Sequence, residues 1–298
     1  MVSSISGDTA LNAGRRAREL AELSSGDGVD LLVIGGGVTG VGIALDAATR
    51  GLSVALVERH DLAFGTSRWS SKLAHGGLRY LAKLDVPIAW ESAVERGHLM
   101  TDIAPHLVRP MPMILPLHRG VSHRDTALLG AGFAAGDVLR MAARTRASLL
   151  PHPSRISQSL VRRMAPATTS HGLRGGLLSW DGQLIDDARL VVTIARTAAS
   201  YGARIITYAA ATAVESGRVE VTDELTGDRH TIRATQVVNA AGVWADELSE
   251  RVQLAPSKGS HLLVRAERLS HPRGPLSRPP SPATSAGSSS RCRGTTTW

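Results

Sequence analysis

Three glycines, Gly35, Gly37 and Gly40, fall at the G-x-G-x-x-G spacing, and the acid Glu58 follows about twenty residues later. Each glycine has its own physical task. Gly35 permits a tight turn, Gly37 presents no side chain to a pyrophosphate, and Gly40 lets a helix pack close to a sheet. A helix that starts here directs unpaired N–H groups and the positive end of its dipole at phosphate. Glu58 stands where a ribose 2′-hydroxyl would be held. The chemistry implied is the binding of an adenine dinucleotide. The spacing alone leaves one alternative, a tight strand-to-helix turn without a ligand.

A second group of polar residues follows. Thr66, Ser67, Ser70, Ser71, Gly76 and Gly77 crowd together, interleaved with Lys72, His75, Arg79 and Tyr80. This composition does not build a core. It suits a solvated loop with a helix cap, or a segment laid along a cofactor with hydroxyl and backbone donors turned toward it.

The elements that must position these residues are legible in the pattern. The apolar run 30–34 is short enough for a buried parallel strand. A helix follows the glycines, and a second strand at 53–57 ends on Glu58. Upstream, residues 1–29 contain a short helix candidate at 12–23 and read as a leader, tucked against the domain or partly disordered. Downstream, 86–108 reads as an amphipathic helix ended by Pro105, 111–117 as an edge strand interrupted by prolines, and 122–148 as helical. Residues 151–157 read as a linker or turn, and 175–180 as a strand closed by a turn at Asp181-Gly182. Asp186 or Asp187 caps a helix over 188–200. A strand at 203–208 precedes an antiparallel meander over 211–233. A last apolar strand from Gln236 runs into Ala241-Gly242, a second strand–glycine–helix junction that would close over the dinucleotide.

Composition limits the function classes. The chain has 298 residues, 43% hydrophobic and 20% charged, as expected of an ordinary globule with one large or two modest domains. The net charge of +8 invites a nucleic-acid partner, but aromatics are 3% and no nucleic-acid module is present, so none is expected. A basic surface facing acidic lipid or a phosphorylated substrate fits equally. One cysteine, Cys292, excludes an intrachain disulfide and a cysteine metal cluster, and no metal is expected. The absence of a secretory signal and the reduced cysteine usage lead to a cytoplasmic expectation.

The residues 34–51, in which the glycines are followed by Asp46 and then Arg50-Gly51, resemble the first signature of the FAD-dependent, quinone-linked glycerol-3-phosphate dehydrogenases. Thr66-Ser67, Ser70-Ser71-Lys72-Leu73 and His75-Gly76-Gly77-Leu78-Arg79-Tyr80-Leu81 resemble the second. The similarity runs from about Asp30 to about Ala266. It implies an α/β fold: a Rossmann-like FAD-binding domain of the glutathione-reductase/D-amino-acid-oxidase type, at 30–84 and 181–250. This domain is interleaved with a partial mixed-sheet substrate domain at 85–180 and 251–269. The cofactor implied is FAD, held by Gly35, Gly36, Gly37, Thr39, Gly40, Glu58, Thr66, Ser67, Ser70, Ser71, Lys72, Gly76, Gly77, Leu78, Ala241 and Gly242.

The reaction implied takes sn-glycerol 3-phosphate to dihydroxyacetone phosphate. The C2 hydrogen leaves as hydride to the flavin while a base takes the hydroxyl proton, and electrons pass on to a quinone. Arg79 and Tyr80 suit the phosphate, with Lys258 as a further substrate ligand. His75 and His261 are the candidate proton acceptors, although His75 serves equally as a packed histidine beside Gly76. Peripheral contact with the inner face of the plasma membrane, through the arginine-flanked helical region 122–148, would bring the quinone within reach. Two other readings stay open: an FAD-binding fragment without catalysis, and a different FAD oxidase of the same fold.

From about residue 270 the chain becomes rich in proline, serine, glycine and arginine and cannot build a core. Residues 270–298 read as a disordered, non-homologous tail, and the resemblance as one to a C-terminally shortened member. The expectation is that the natural reading frame was lost near 270. Sequencing the encoding DNA checks it: another frame downstream should continue the family pattern, and if none does, the explanation is wrong.

Overall fold

The computed structural model describes residues 9–81, 83–249, 252–257, 259–261 and 265. In chain order the first elements are α1 (Ala13–Ser25), β1 (Val29–Ile34), α2 (Val38–Thr49), β2 (Val54–Glu58), β3 (Leu73–Ala74), α3 (Leu78–Leu81), α4 (Val86–His98) and β4 (Val108–His118). Then come α5 (His123–Ala142), β5 (Ser154–Ile156), α6 (Gln158–Met164), β6 (Leu173–Leu184), α7 (Asp187–Ser200), β7 (Arg204–Thr207), β8 (Ala209–Glu215), β9 (Arg218–Asp223) and β10 (Arg229–Asn239). Short 3-10 helices occupy Thr66–Arg68 and Gly242–Leu248, and a π-helix Leu99–Ile103 extends α4. The chain divides into two units, 1–70 with 186–258, and 71–185 with 259–298.

The first unit is built on a six-stranded sheet in the order β7-β2-β1-β10-β9-β8. β7, β2, β1 and the second half of β10 run parallel, while β8, β9 and the first half of β10 form the antiparallel meander. Alternate residues of one strand serve opposite faces. Leu32 and Ile34 pack on one side with Ala55, Val57 and the α1 residues Leu20 and Leu23. Val33 packs on the other with Val54, Leu56 and the alanine-rich faces of α2 and α7. Burial on both faces is why β1 and β2 read as unbroken apolar runs rather than alternating ones.

α1 is docked by charge as well as by leucines. Asn12 caps it through Arg15 N. Arg16 forks onto Asp223 with bonds of 2.7 and 3.0 Å and also donates to the carbonyls of Thr207 and Tyr208. α1 is therefore docked on the first unit, with Leu20 and Leu23 in its core.

The second unit has a sheet in the order β3-β6-β4, with β5 also paired to β6. Its long pair is β4 with β6, antiparallel over most of both strands. Pro110, Pro112 and Pro116 sit in β4, at the edge of this sheet among the described residues, where a missing N–H costs least. α6 covers Ile114, Ile156 and Leu178 on one side, and α5 lays Leu129 and Phe133 over Leu115, Leu117 and Leu177 on the other. Among the described residues no helix is long and apolar enough to cross a membrane.

Several sequence expectations need correction. The first domain boundary falls between Ser70 and Ser71 rather than after 84, because β3 pairs with β6 and carries its neighbours into the second unit. The second falls after Ile185 rather than 180, since β6 runs unbroken to Leu184. Asp181-Gly182 is therefore strand and not turn: Asp181 is buried with three donors, and Gly182 lies against Ala74. Residues 154–156 form a strand on β6 instead of a linker. The tail 270–298 lies outside the described residues.

Asp223 is 4% exposed, and the hydrogen bonds from Arg16 hold its carboxyl below the ordinary carboxylate range. A depressed acid contributes stability above its unfolded pKa of about 3.9 and loses that contribution as pH falls through the folded value. Asp223→Asn should therefore cost about 3 kcal/mol at neutral pH, because the half-buried Arg16 guanidinium loses its charged partner and keeps only the Thr207 and Tyr208 carbonyls. The deficit relative to wild type should shrink below about pH 4. Urea melts of both proteins across that range would check the size and the sign.

Candidate functional site

Parallel strands β2, β1 and β10 bring their carboxyl ends to one edge, the place where open α/β sheets bind ligands. Ile34 leads into Gly35, whose φ of +113° lies in the region that favours glycine. A Cβ on Gly35 would strike the Ala240 carbonyl, and one on Gly40 would strike the Gly35 carbonyl. The turn is thus closed by backbone against backbone. Ala240 N in turn donates to Ile34 O at 2.8 Å, which ties the second junction to the first.

Helix α2 starts at this turn with Gly37 as its N-cap, no side-chain cap on that residue and no acid in its first turn. Ser67 Oγ accepts from Val38 N at 2.9 Å. The N–H groups of Gly37 and Thr39 find no protein acceptor among the described residues. Glu58 closes the other side. Its Oε2 accepts from Gly36 N at 2.6 Å and its Oε1 from His60 N at 2.8 Å, and each oxygen keeps a further lone pair for a hydroxyl. Unpaired amides at a helix start, a turn bare of side chains and a carboxylate at the end of the next strand together fit an adenine dinucleotide.

The first unit gathers Gly35, Gly36, Gly37, Thr39, Gly40, Glu58, Ala241 and Gly242 at this edge, with Ser67 against the helix start. Thr66 and Ser67 lie in the 3-10 turn. Ser70 is held by Asp187, which accepts from its N–H at 3.1 Å and its hydroxyl at 2.8 Å. The two acids expected as caps have thus divided the work: Asp186 caps α7 through Arg189 N, and Asp187 anchors Ser70. Gly242 adopts φ +62° and Asn239 braces its turn through the Ala245 carbonyl. Sequence reasoning missed the bracing by Asn239 and Asp187. It also missed Trp244, whose ring lies against Gly65. No local signal marks any of them.

The second unit carries Ser71, Lys72, His75, Gly76, Gly77, Leu78, Arg79 and Tyr80. Lys72 O accepts from Leu184 N at 2.8 Å. His75 is exposed, with its ring 5.9 Å from that of Tyr80. Gly76 and Gly77 are buried and have packing reasons for lacking side chains. A Cβ on Gly76 would run into the Arg96 guanidinium, and one on Gly77 would lie 2.7 Å from Ala89 Cα. Gly76 N donates to Asp181 at 3.0 Å, so this N–H is already taken by the protein. Leu78 meets α5 at Gly136. Arg79 belongs to the α3 backbone. His261 is exposed, and Lys258 lies outside the described residues.

The profile of the family described as "FAD dependent oxidoreductase" matches residues 30–289, past the Ala266 at which the motif resemblance stops. The chain belongs to this family of FAD-dependent oxidoreductases, and FAD is the cofactor that membership assigns. Among its relatives, glycerol-3-phosphate dehydrogenase 1 of Mycobacterium tuberculosis is 57% identical over 270 residues, covering 91% of this chain and 52% of that protein. The aerobic glycerol-3-phosphate dehydrogenase of Staphylococcus aureus is 36% identical over 251 residues, covering 80% of this chain and 43% of that one. The solved glycerol-3-phosphate dehydrogenase of Bacillus halodurans, complexed with FAD, superposes with a TM-score of 0.62 at 28% identity. That match covers 90% of this chain and 46% of that structure. The chain thus spans about half the length of the curated relatives it matches.

The glycines of α2 make a controlled comparison. A Cβ on Gly42 meets nothing within 4 Å, whereas one on Gly40 overlaps the Gly35 carbonyl. Gly42→Ala should fold, take up FAD normally and gain up to about 1 kcal/mol from helix propensity. Gly40→Ala should lose FAD uptake or fail to fold. Flavin titration and thermal melts of the two variants side by side would check this.

Proposed function

We propose that this chain carries the FAD-holding portion of an enzyme that oxidises sn-glycerol 3-phosphate to dihydroxyacetone phosphate and passes the electrons to a quinone. The observation that carries the reading is the 57% identity over 270 residues to a relative named for that substrate. A stretch of that length in a 298-residue chain necessarily includes the glycine turn, Glu58 and the 66–81 segment.

FAD, when bound, supplies the two-electron acceptor for the oxidation. The residues of the chain divide the remaining tasks. The N–H groups at the start of α2 hold the diphosphate, and Glu58 holds the ribose. Thr66, Ser67, Ser70, Ser71, Lys72, Gly77, Leu78, Ala241 and Gly242 are the further cofactor residues of this reading, through backbone or hydroxyl. Arg79 and Tyr80 bind the substrate phosphate, because a planar guanidinium matches two phosphate oxygens and a phenol adds a third donor. Lys258 is the further cation for that task. His75 takes the C2 hydroxyl proton: it is exposed, lies beside Tyr80 and carries an imidazole nitrogen able to accept a proton. His261 is the other candidate for that proton.

A quinone acceptor places the protein at a membrane surface. The exposed apolar residues Leu128, Val138 and Met141 on α5 support a peripheral contact there, at the inner face of the plasma membrane.

Titration of the purified chain with FAD, followed by anaerobic addition of glycerol 3-phosphate, tests the reading. A yellow protein whose flavin band bleaches with this substrate, and not with amines or amino acids, is the expected result. A yellow protein that no substrate bleaches would limit this chain to holding the cofactor. Bleaching by an amino acid alone, or a chain that takes up no FAD, would overturn the proposal.

A further inference from the structure

The second unit contains a buried ion pair that no motif announces. Arg96 on α4 and Asp181 on β6 are 6% and 5% exposed, with Nη1 2.7 Å from Oδ1. The same Oδ1 also accepts Gly76 N at 3.0 Å and Gly182 N at 3.0 Å. Arg96 Nε finds no acceptor among the described residues.

Stability alone does not explain this arrangement. A buried pair with an unmet donor is no better for folding than two apolar side chains of similar volume. What the pair does, and an apolar pair would not, is take hold of the Gly76 peptide. One carboxylate oxygen is fixed by the guanidinium and then receives the Gly76 N–H. The guanidinium meanwhile occupies the space that a side chain at 76 would need. The next residue, Gly77, has φ +79° and lies against Ala89 of the same helix. On either side of this pinned dipeptide stand His75 and the α3 turn with Arg79 and Tyr80.

We propose that Arg96 and Asp181 are a positioning pair: they fix the Gly76 peptide and thereby set the geometry of the His75–Tyr80 segment. Their effect on catalysis rests on the substrate reading above. Neither residue need touch substrate. Displacing a reacting group by about 1 Å is enough to slow a reaction on the order of a hundredfold.

The test compares wild type with the double variant Arg96→Met/Asp181→Leu, which removes both charges and refills the space. Amide hydrogen exchange, followed by mass spectrometry on peptides spanning 74–81, reads the segment itself. Expected are a melting temperature within a few degrees of wild type, full FAD uptake and at least tenfold faster exchange in these peptides. Flavin reduction by glycerol 3-phosphate should slow about a hundredfold, with the loss in the limiting rate rather than in the glycerol 3-phosphate concentration that gives half of it. Should the double variant not fold, Arg96→Lys keeps the charge but loses the fork, and is expected to show the same two effects at about tenfold.

Unchanged exchange at 74–81 in a folded variant would overturn the proposal, as would faster exchange with wild-type reduction kinetics. A wild-type protein that holds FAD but ignores glycerol 3-phosphate would sink the substrate reading. The exchange comparison would then decide the positioning role by itself.

Discussion

The carbonyl of Gly35 lies where a side chain on residue 40 would have to be, and the carbonyl of Ala240 lies where one on residue 35 would have to be. The rest of the first unit depends on these two approaches. They let α2 start directly at the end of β1 and let the end of β10 close on the same point. Backbone hydrogen bonds complete the arrangement, from Gly35 N to Val57 O and from Ala240 N to Ile34 O. The surface at the start of α2 is consequently made of peptide groups. Peptide groups held by strands and a helix start are rigid, and a surface made of them leaves little ordering to be done on binding.

The second unit solves a similar problem by opposite means. Its loop also lacks side chains at Gly76 and Gly77, but what fills the space at Gly76 is a charged pair brought from elements far away in sequence. The cradle holds its shape because side chains are absent. The 75–80 segment holds its shape because two are present and buried. The difference is physical: a helix start offers its own unpaired amides, whereas a loop between a two-residue strand and a four-residue helix has little structure of its own and borrows it.

That contrast explains what could be read from the sequence. The glycine turn, β1, α2, β2, the α7 cap and the meander were legible, because each rests on spacing within some thirty residues. Ser67 capping α2, Asp187 anchoring Ser70 and Asn239 bracing the second junction were not, since a hydroxyl or acid in a polar stretch carries no address. Asp181-Gly182 misled outright. Aspartate before glycine is a turn signal, and only a buried arginine from another helix and a neighbouring strand make it straight β-strand. The same long-range pairing moved 71–81 into the second unit. Family membership and FAD, by contrast, rested on long motifs, and the comparisons bear them out.

The division at Ser70–Ser71 cuts through the polar segment that the sequence presents as continuous. The polar segment 66–81 looks like one strip in the sequence, yet its two ends have separate anchors. Ser67 and Ser70 are tied to α2 and to Asp187 in the first unit, and Lys72 and Gly76 to β6 in the second. Two anchors hold the residues up to Ser70 and those from Lys72 onward to different units while they remain adjacent in sequence. Between the two anchors Lys72 takes φ +55°, a conformation costly for a residue with a Cβ, and its carbonyl is held by Leu184 N.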